Sequence, residues 1–285
     1  MSITIGVGVG DAADAARAVH SAVEQARAQL GEASPQAAYI TTTVDHDAAR
    51  VHAAFRQALA GVPLHGVTTS LGVLTPAGVR NEGHGAVAVM QGIASVCPDV
   101  PCQGGSAADH AIAGQWSVFT HEGPVPAGVS LLGIFGEVRV GTSLSTPYIP
   151  SGVHARATGA RGRTLLTLDG QPAARVLGRW LEGAIDDQMR SGGTAEGLVA
   201  EVSHLIDAAL AQGNLTTRDV KGAALIFCAG CAGALGPRID EGLRTFSRLL
   251  PGVPLLGLCP FGEQGYIPGL GNVHQDLSLS LTLFA

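Results

Sequence analysis

Cys259, Glu263, Tyr266 and His274 fall within sixteen positions near the end of the chain and carry groups able to bond, titrate or ligate. They stand in GVPLLGLCPFGEQGY at 252–266 and IPGLGNVHQD at 267–276, interleaved with glycine and proline. A carboxyl such as Glu263, set in a glycine-rich and mostly apolar loop, can fix a ligand's amine, or serve as an acid or base if burial raises its pKa. Tyr266 supplies a hydroxyl, and His274 a ring that can bind a ligand or brace Glu263. Upstream, Cys228 and Cys231 form a C-A-G-C pair between a strand-like run and a helix-like run around 238–250. A thiolate in that setting has a lowered pKa and is a competent nucleophile or ligand. Glu263, Cys228 and Cys231 are therefore the catalytic candidates, and Cys259, at the end of the next strand, is expected to face the same hollow.

The elements that must position these groups occur twice. GVPLLGLCPFGE at 252–263 echoes GVPLHGVTTSLG at 61–72 at an offset of 191, and Phe55 and Phe246 keep that offset on the preceding helix-like runs. The strand-like AYITTT at 38–43 resembles LIFCAG at 225–230 at offset 187, which implies about four extra residues in the later copy. A period this long reads as a duplicated domain and not a solenoid. The expected fold is α/β (α+β): two related halves, 1–150 and 151–285, each a mixed sheet covered by helices, packed as a layered sandwich around a cleft lined by glycine-rich loops. In the first copy the equivalent loop offers Thr68, Thr69 and Ser70, which hydrogen-bond but titrate poorly.

Composition narrows the function. The net charge of −6 and the absence of a basic stripe argue against nucleic acid. Five cysteines, an odd number, suit a reducing compartment better than a disulfide framework. No basic-then-apolar leader opens the chain and no apolar run is long enough to span a bilayer, so a cytoplasmic protein is expected. Aromatic residues make up only 4%, so the core is built from Ala, Val, Leu and Ile.

Taken in order, Ser2–Val9 reads as a strand. Asp11 caps a helix that runs to Leu30 and stops at Gly31. Gly8, Gly10 and Ala13 match a G-x-G-x-x-A pattern, but no acidic residue closes a second strand at the distance a dinucleotide fold needs. Asp45, His46 and Asp47 read as the start of a helix, with acid near its positive end, and not as a metal site. Strands are expected at 37–43, 64–69 and 85–96, and a hairpin over 129–142 around Gly136. Gly104, Ser106 and Asp109, in CPDVPCQGGSAAD at 97–109, form a polar turn able to line a ligand site. Cys97 and Cys102 lack the spacing of a zinc pair. A strand over 163–168 turns at Asp169 and Gly170, and helices are expected over 173–181 and 195–212.

Several stretches carry a resemblance to a known family: GVGVGDAADAARAV at 6–19, VPLHGVTTS at 62–70, GGSAAD at 104–109, ATGARGRTLLTLDGQPAARVL at 157–177, LIFCAGCAG at 225–233, VPLLGLCPFGEQG at 253–265 and GNVHQDLSLSLTLF at 271–284. In this order they resemble the FIST proteins, bacterial sensory proteins with an N-terminal and a C-terminal FIST domain. The resemblance implies a small-molecule-binding module of intracellular signalling. Since some members look like haem-binding nitric oxide sensors, it also makes His274, His154 and His110 candidate haem ligands. The chain is short for such a protein and no fused output domain is evident, which implies a separate signalling partner or a chemistry of its own. The acidic group of the site loop is present in one half only, where Glu263 stands against Gly72 and Leu71 of the other.

Three functions are compatible with these residues. The first is a sensory protein with a small-molecule pocket between the halves, where Cys259, Tyr266, His274, Thr68, Thr69, Gly104, Ser106 and Asp109 contact the ligand. The second is a haem-binding gas sensor or haem enzyme. The third is a cofactor-independent enzyme using Glu263 and a pocket cysteine.

Overall fold

The computed structural model describes residues 3–74, 90, 93, 95–96, 100–109, 115–120, 122–125, 129–134, 136–146, 152–161, 164–181 and 195–285. In chain order the first elements are α1 (Ala15–Leu30), β1 (Ala38–Thr42), α2 (Ala48–Ala58), β2 (Leu64–Thr68), β3 (Ser70–Leu74), β4 (Gly104–Gly105), β5 (Val118–Phe119), β6 (Pro124–Val125) and β7 (Val140–Ser145). A connector follows, with β8 (Ala157–Arg161), β9 (Thr164–Leu168), β10 (Gln171–Pro172) and α3 (Ala173–Leu181). The last part holds α4 (Ala195–Gln212), β11 (Gly222–Phe227), α5 (Ala229–Leu235), α6 (Ile239–Leu249), β12 (Leu255–Cys259), β13 (Glu263–Ile267), β14 (Gly271–Gln275) and β15 (Leu279–Phe284).

The result is a mixed α/β fold. One sheet has the order β1-β2-β5-β6, with β1 and β2 parallel. Helices α1 and α2 bury Val19, Val23 and Val51 against Ile40, Leu64 and Phe119 to close its core. Val19 and Val23 lie one helical turn apart and so share a face. The central sheet has the order β3-β12-β11-β15-β7, with β11 and β12 parallel. Its core joins Leu205, Ile206 and Ala209 of α4 and Leu243 and Phe246 of α6 to Leu225, Leu255, Leu281 and Leu283 of the strands. A third sheet, β4-β13-β14, is small and carries Gly104, Glu263, Tyr266 and His274. The connector strands β8, β9 and β10 form an antiparallel sheet under α3.

The duplication is visible in the structure. α2 and α6, and β2 and β12, are related by the same offset of 191, and β2 and β12 share one burial pattern. In the parallel pairs Ala38 faces Leu64 as Ala223 faces Leu255, so the first strands are 185 positions apart, and the later copy carries six extra residues, not four. Those residues belong to the turn of helix α5, which begins right after Cys228. The first copy has no such helix between β1 and α2. The copies are interleaved: β3 pairs with β12, β4 with β13, and β7 with β15.

Several sequence expectations change. Residues 3–9 form no strand. The segment runs extended along α1, where Gln25 and Gln29 side chains pair with the backbone of Val9 and Val7 as a neighbouring strand would. Gly6, Gly8 and Gly10 let it approach the helix, because a Cβ on each would strike the carbonyls of Ala26, Ala22 and Ala18. The glycines of the G-x-G-x-x-A pattern thus serve packing. The cap of α1 is Asp14, whose carboxylate accepts from Arg17 N–H, and not Asp11. Asp47 caps α2 as expected of an acid at that end. Of the strand expected at 85–96, residues 85–89, 91–92 and 94 lie outside the described residues, and Met90, Ile93, Ser95 and Val96 are helical. Residues 129–134 are irregular, and the strand begins only at Val140. Among the described residues no helix is long and apolar enough to cross a membrane.

Candidate functional site

The site forms where β11 and β12 end side by side. Ligands favour the carboxyl ends of parallel strands, where backbone groups are left over and loops diverge. Here Cys259 ends β12 and Cys228 follows β11. The chain then turns through Pro260, Phe261 and Gly262 into β13, where Gly262 takes φ +117. A Cβ at Gly262 would also come within 2.5 Å of His274 Cε1, so only glycine fits on both counts.

Successive side chains of a strand alternate faces. On β13, Glu263 and Gly265 therefore look one way, and Gln264 and Tyr266 the other. The Gly265 side meets the central sheet, because a Cβ there would lie 2.8 Å from Ser280 Oγ of β15 and 3.0 Å from Leu144 of β7. Glu263 is consequently sandwiched between the two sheets and has no solvent exposure. Its Oε1 accepts from Gly262 N–H at 3.0 Å, and its Oε2 accepts from Ser278 N–H and Ser278 Oγ–H, each at 3.0 Å. Burial foremost, and then the negative charge at Cys228, raise its pKa to about 8 despite these three donors.

Ser278 ties the carboxyl to the cysteines, since its carbonyl accepts from Cys228 N–H at 3.0 Å. The Cys231 thiol donates to the Cys228 sulfur, and the N–H groups of Cys231, Gly230 and Leu277 donate to it as well. Together these lower the Cys228 pKa to about 6 against the opposing effect of burial. Cys259 goes the other way: burial, then the charges at Cys228 and Glu263, push its thiol well above the ordinary value. Cys228, Cys231 and Cys259 are all buried.

On the other face of the small sheet, His274 stands directly opposite Gln264, whose Nε2 lies 3.1 Å from His274 Nδ1. Nε2 of His274 faces Asp276 Oδ1 at 3.8 Å. The same Gln264 Nε2 donates to Ser106 Oγ at 3.2 Å. His274 is thus placed against Gln264 and Gly262, across the ladder from the face that carries Glu263. Tyr266 is half-buried, pairs across the ladder with Asn272, and also lies on the Gln264 face.

Residues of the first half close over this loop. Thr69 Oγ accepts from Cys259 N–H at 2.8 Å, and Thr69 N–H donates to Thr42 O at 3.0 Å. Ser106 N–H donates to Gly262 O at 3.2 Å, and Gly104 and Gly105 pair with Gln264 and Glu263. Thr68 Oγ–H donates to Ala108 O at 2.9 Å and so holds the 104–109 segment against β2. Asp109 is buried and its Oδ2 accepts from Gln115 N–H at 2.8 Å. His154 is exposed on the connector, with Nδ1 3.1 Å from Gly152 O. His110 and Cys97 lie outside the described residues.

The central members of this arrangement are Glu263, Cys228, Cys231, Cys259, Thr69 and Ser106, with His274 on the far face. Two residues with no motif to mark them, Ser278 and Gln264, bind the rest together. Gln264 could have been suspected as the residue next to Glu263 that must face the other way; nothing nearby singled out Ser278. Thr69→Val should cost about 1–3 kcal/mol in chemical denaturation, because it strips the buried Cys259 N–H of its acceptor while keeping the shape. An unchanged denaturation midpoint would show that this contact between the halves carries no weight.

Comparison with family models finds the FIST N domain over residues 2–171 and the FIST C domain over residues 173–266. No curated protein matches the chain. The interleaved halves, with the site loop of the later one covered by segments of the earlier one, are those of two such domains in tandem: the chain belongs to the FIST family.

Proposed function

We propose that the protein is a small-molecule sensor of the cytoplasm whose input is read at the loop 259–264, between the halves. FIST domains are associated with sensory and signalling proteins. The observation that carries the reading is that both halves take hold of this one loop. Thr69 holds its first residue, Ser106 its glycine carbonyl and its glutamine. The later half clamps Glu263 from Ser278. A ligand that replaced any of these bonds would change how the halves sit on each other, which is what a separate output protein can detect. The buried polar set of Thr69, Ser106, Asp109 and Gln264 offers hydrogen-bonding groups for such a ligand. Non-denaturing mass spectrometry of the purified chain is expected to show a co-purified small molecule that Ser106→Ala and Asp109→Asn release. A bare chain mass, together with no thermal shift across a panel of small amines and carboxylates, would overturn the reading.

The haem alternative finds little support at His274. Its Nδ1 is held by Gln264, its Nε2 faces Asp276, and the ring packs on Gly262, so no nitrogen is presented to an iron. Titration with haem should leave no Soret band that depends on His274.

A further inference from the structure

Cys228 and Cys231 take no part in the ligand contacts proposed for the loop 259–264. We propose that these two cysteines form a redox-active dithiol, which a small hydroperoxide converts to an intramolecular disulfide.

The pair is built for this in three respects. The two side chains already interact, the Cys231 thiol donating to Cys228. Cys228 precedes the first residue of α5 and Cys231 lies within its first turn, so a bond between them closes without moving a strand. The Cys228 sulfur is also ringed by donors from two separate segments, Gly230 and Cys231 on one side and Leu277 on the other. A ring of N–H groups stabilises a thiolate and the polar oxygen of its oxidised form alike. Leu277 reaches this position with φ +57, a left-handed conformation that branched-chain apolar residues seldom adopt.

The third respect is access. Cys228 and Cys231 are 4% and 2% exposed, whereas Leu277, above them, is 43% exposed. Gly230 lies beside both Leu277 and Cys228. A Cβ there would lie 3.1 Å from Leu277 Cδ2 and 3.6 Å from Cys228 Sγ. The exposed Leu277 side chain thus packs beside Gly230 next to the Cys228 sulfur. A hydroperoxide is small enough to reach the sulfur past one displaced side chain, whereas the disulfide of another protein is not.

The chemistry balances with groups already present. The Cys228 thiolate attacks one oxygen of the hydroperoxide, an S–O bond forms and the O–O bond breaks. The departing alkoxide or hydroxide takes the proton of the buried Glu263 carboxyl. The Cys231 thiol then attacks Cys228 Sγ. The S–S bond forms, the S–O bond breaks, and the hydroxyl leaves with the thiol proton as water. The hydroperoxide gains two electrons and the two thiols lose them. The negative charge that began on Cys228 ends on Glu263, where Gly262 N–H, Ser278 N–H and Ser278 Oγ–H receive it. Cys259, held protonated at the end of β12, does not compete as a thiolate.

The test uses the reduced full chain. It is treated with hydrogen peroxide, quenched in alkylating agent under denaturing conditions and digested with trypsin. Cys228 and Cys231 share the single peptide 222–238. That peptide is expected to lose two hydrogens and resist alkylation, at least about tenfold faster than the half-exposed Cys102 is oxidised. In Cys231→Ser, a sulfenic acid is expected to accumulate on Cys228 and to react with dimedone, whereas Cys228→Ser should abolish rapid oxidation of the peptide. If the variants do not fold, the wild-type peptide map still decides. Oxidation of this peptide no faster than of Cys102, or a disulfide joining other cysteines, would overturn the proposal.

Discussion

Glu263→Ala is expected to lower the unfolding free energy by about 3 kcal/mol or more, a large share of a domain's margin. The reason lies in the three donors that converge on the carboxyl. Gly262 N–H, Ser278 N–H and Ser278 Oγ–H point into a space closed by two sheets, and alanine leaves all three without an acceptor. Each unsatisfied buried donor costs about 1–3 kcal/mol, less whatever the serine hydroxyl recovers by turning away. Glu263→Gln keeps the volume and one acceptor, but sets an amide NH2 against Ser278 N–H. It should fall between the parent and the alanine variant. Denaturant titration measures both, read from the midpoint at constant slope. His204→Ala, on an exposed face of α4, serves as control and should stay within about 0.5 kcal/mol. An alanine variant as stable as that control would mean the carboxyl is not clamped as described.

Much of this arrangement was legible because local chemistry and global placement agree. The repeated G-V-P-L run announced two equivalent strands, and β2 and β12 keep the offset it showed. Asp47 could be read as a cap because a short acid before an apolar-periodic run has few other uses. What escaped was decided by distant partners. Ser70, Leu71 and Gly72 looked like loop residues, and belong to a strand, β3, only because β12 lies beside it. The apolar and glycine alternation of residues 3–9 looked like a strand, but its partner is a helix that lends two glutamine amides. Within the site, glycine spacing and the isolated acid drew attention to the loop 259–264. The C-A-G-C pair was visible too. The donors that define its chemistry were not, because Leu277 and Ser278 come from a turn forty-odd residues further on.

Stability should also depend on pH in a way that exposes how Cys228 and Glu263 share one negative charge. Glu263 moves from an ordinary 4.5 up to about 8 on folding. The native state therefore holds a proton the unfolded chain gives up, and stability on this account falls as pH rises through that window. Cys228 moves from 9.0 down to about 6. Here the unfolded chain holds the extra proton, and stability rises with pH between 6 and 9. The two effects oppose each other between 6 and 8, so this pair should lower stability from pH 4.5 to 6, hold it nearly level to 8, and raise it beyond. Cys228→Ser removes the rising part, and relieves Glu263 of the neighbouring charge that helps raise its pKa. Subtracting the variant's curve from the parent's, both kept reduced, cancels the remaining titrations. The difference should grow in the parent's favour from pH 6 to 9 by up to about 4 kcal/mol, at roughly 1.4 kcal/mol per pKa unit, less the part of the Glu263 shift that the Cys228 charge causes. Parallel curves over that range would show that the sulfur is an ordinary thiol in the folded protein, and the hydroperoxide chemistry would lose its nucleophile.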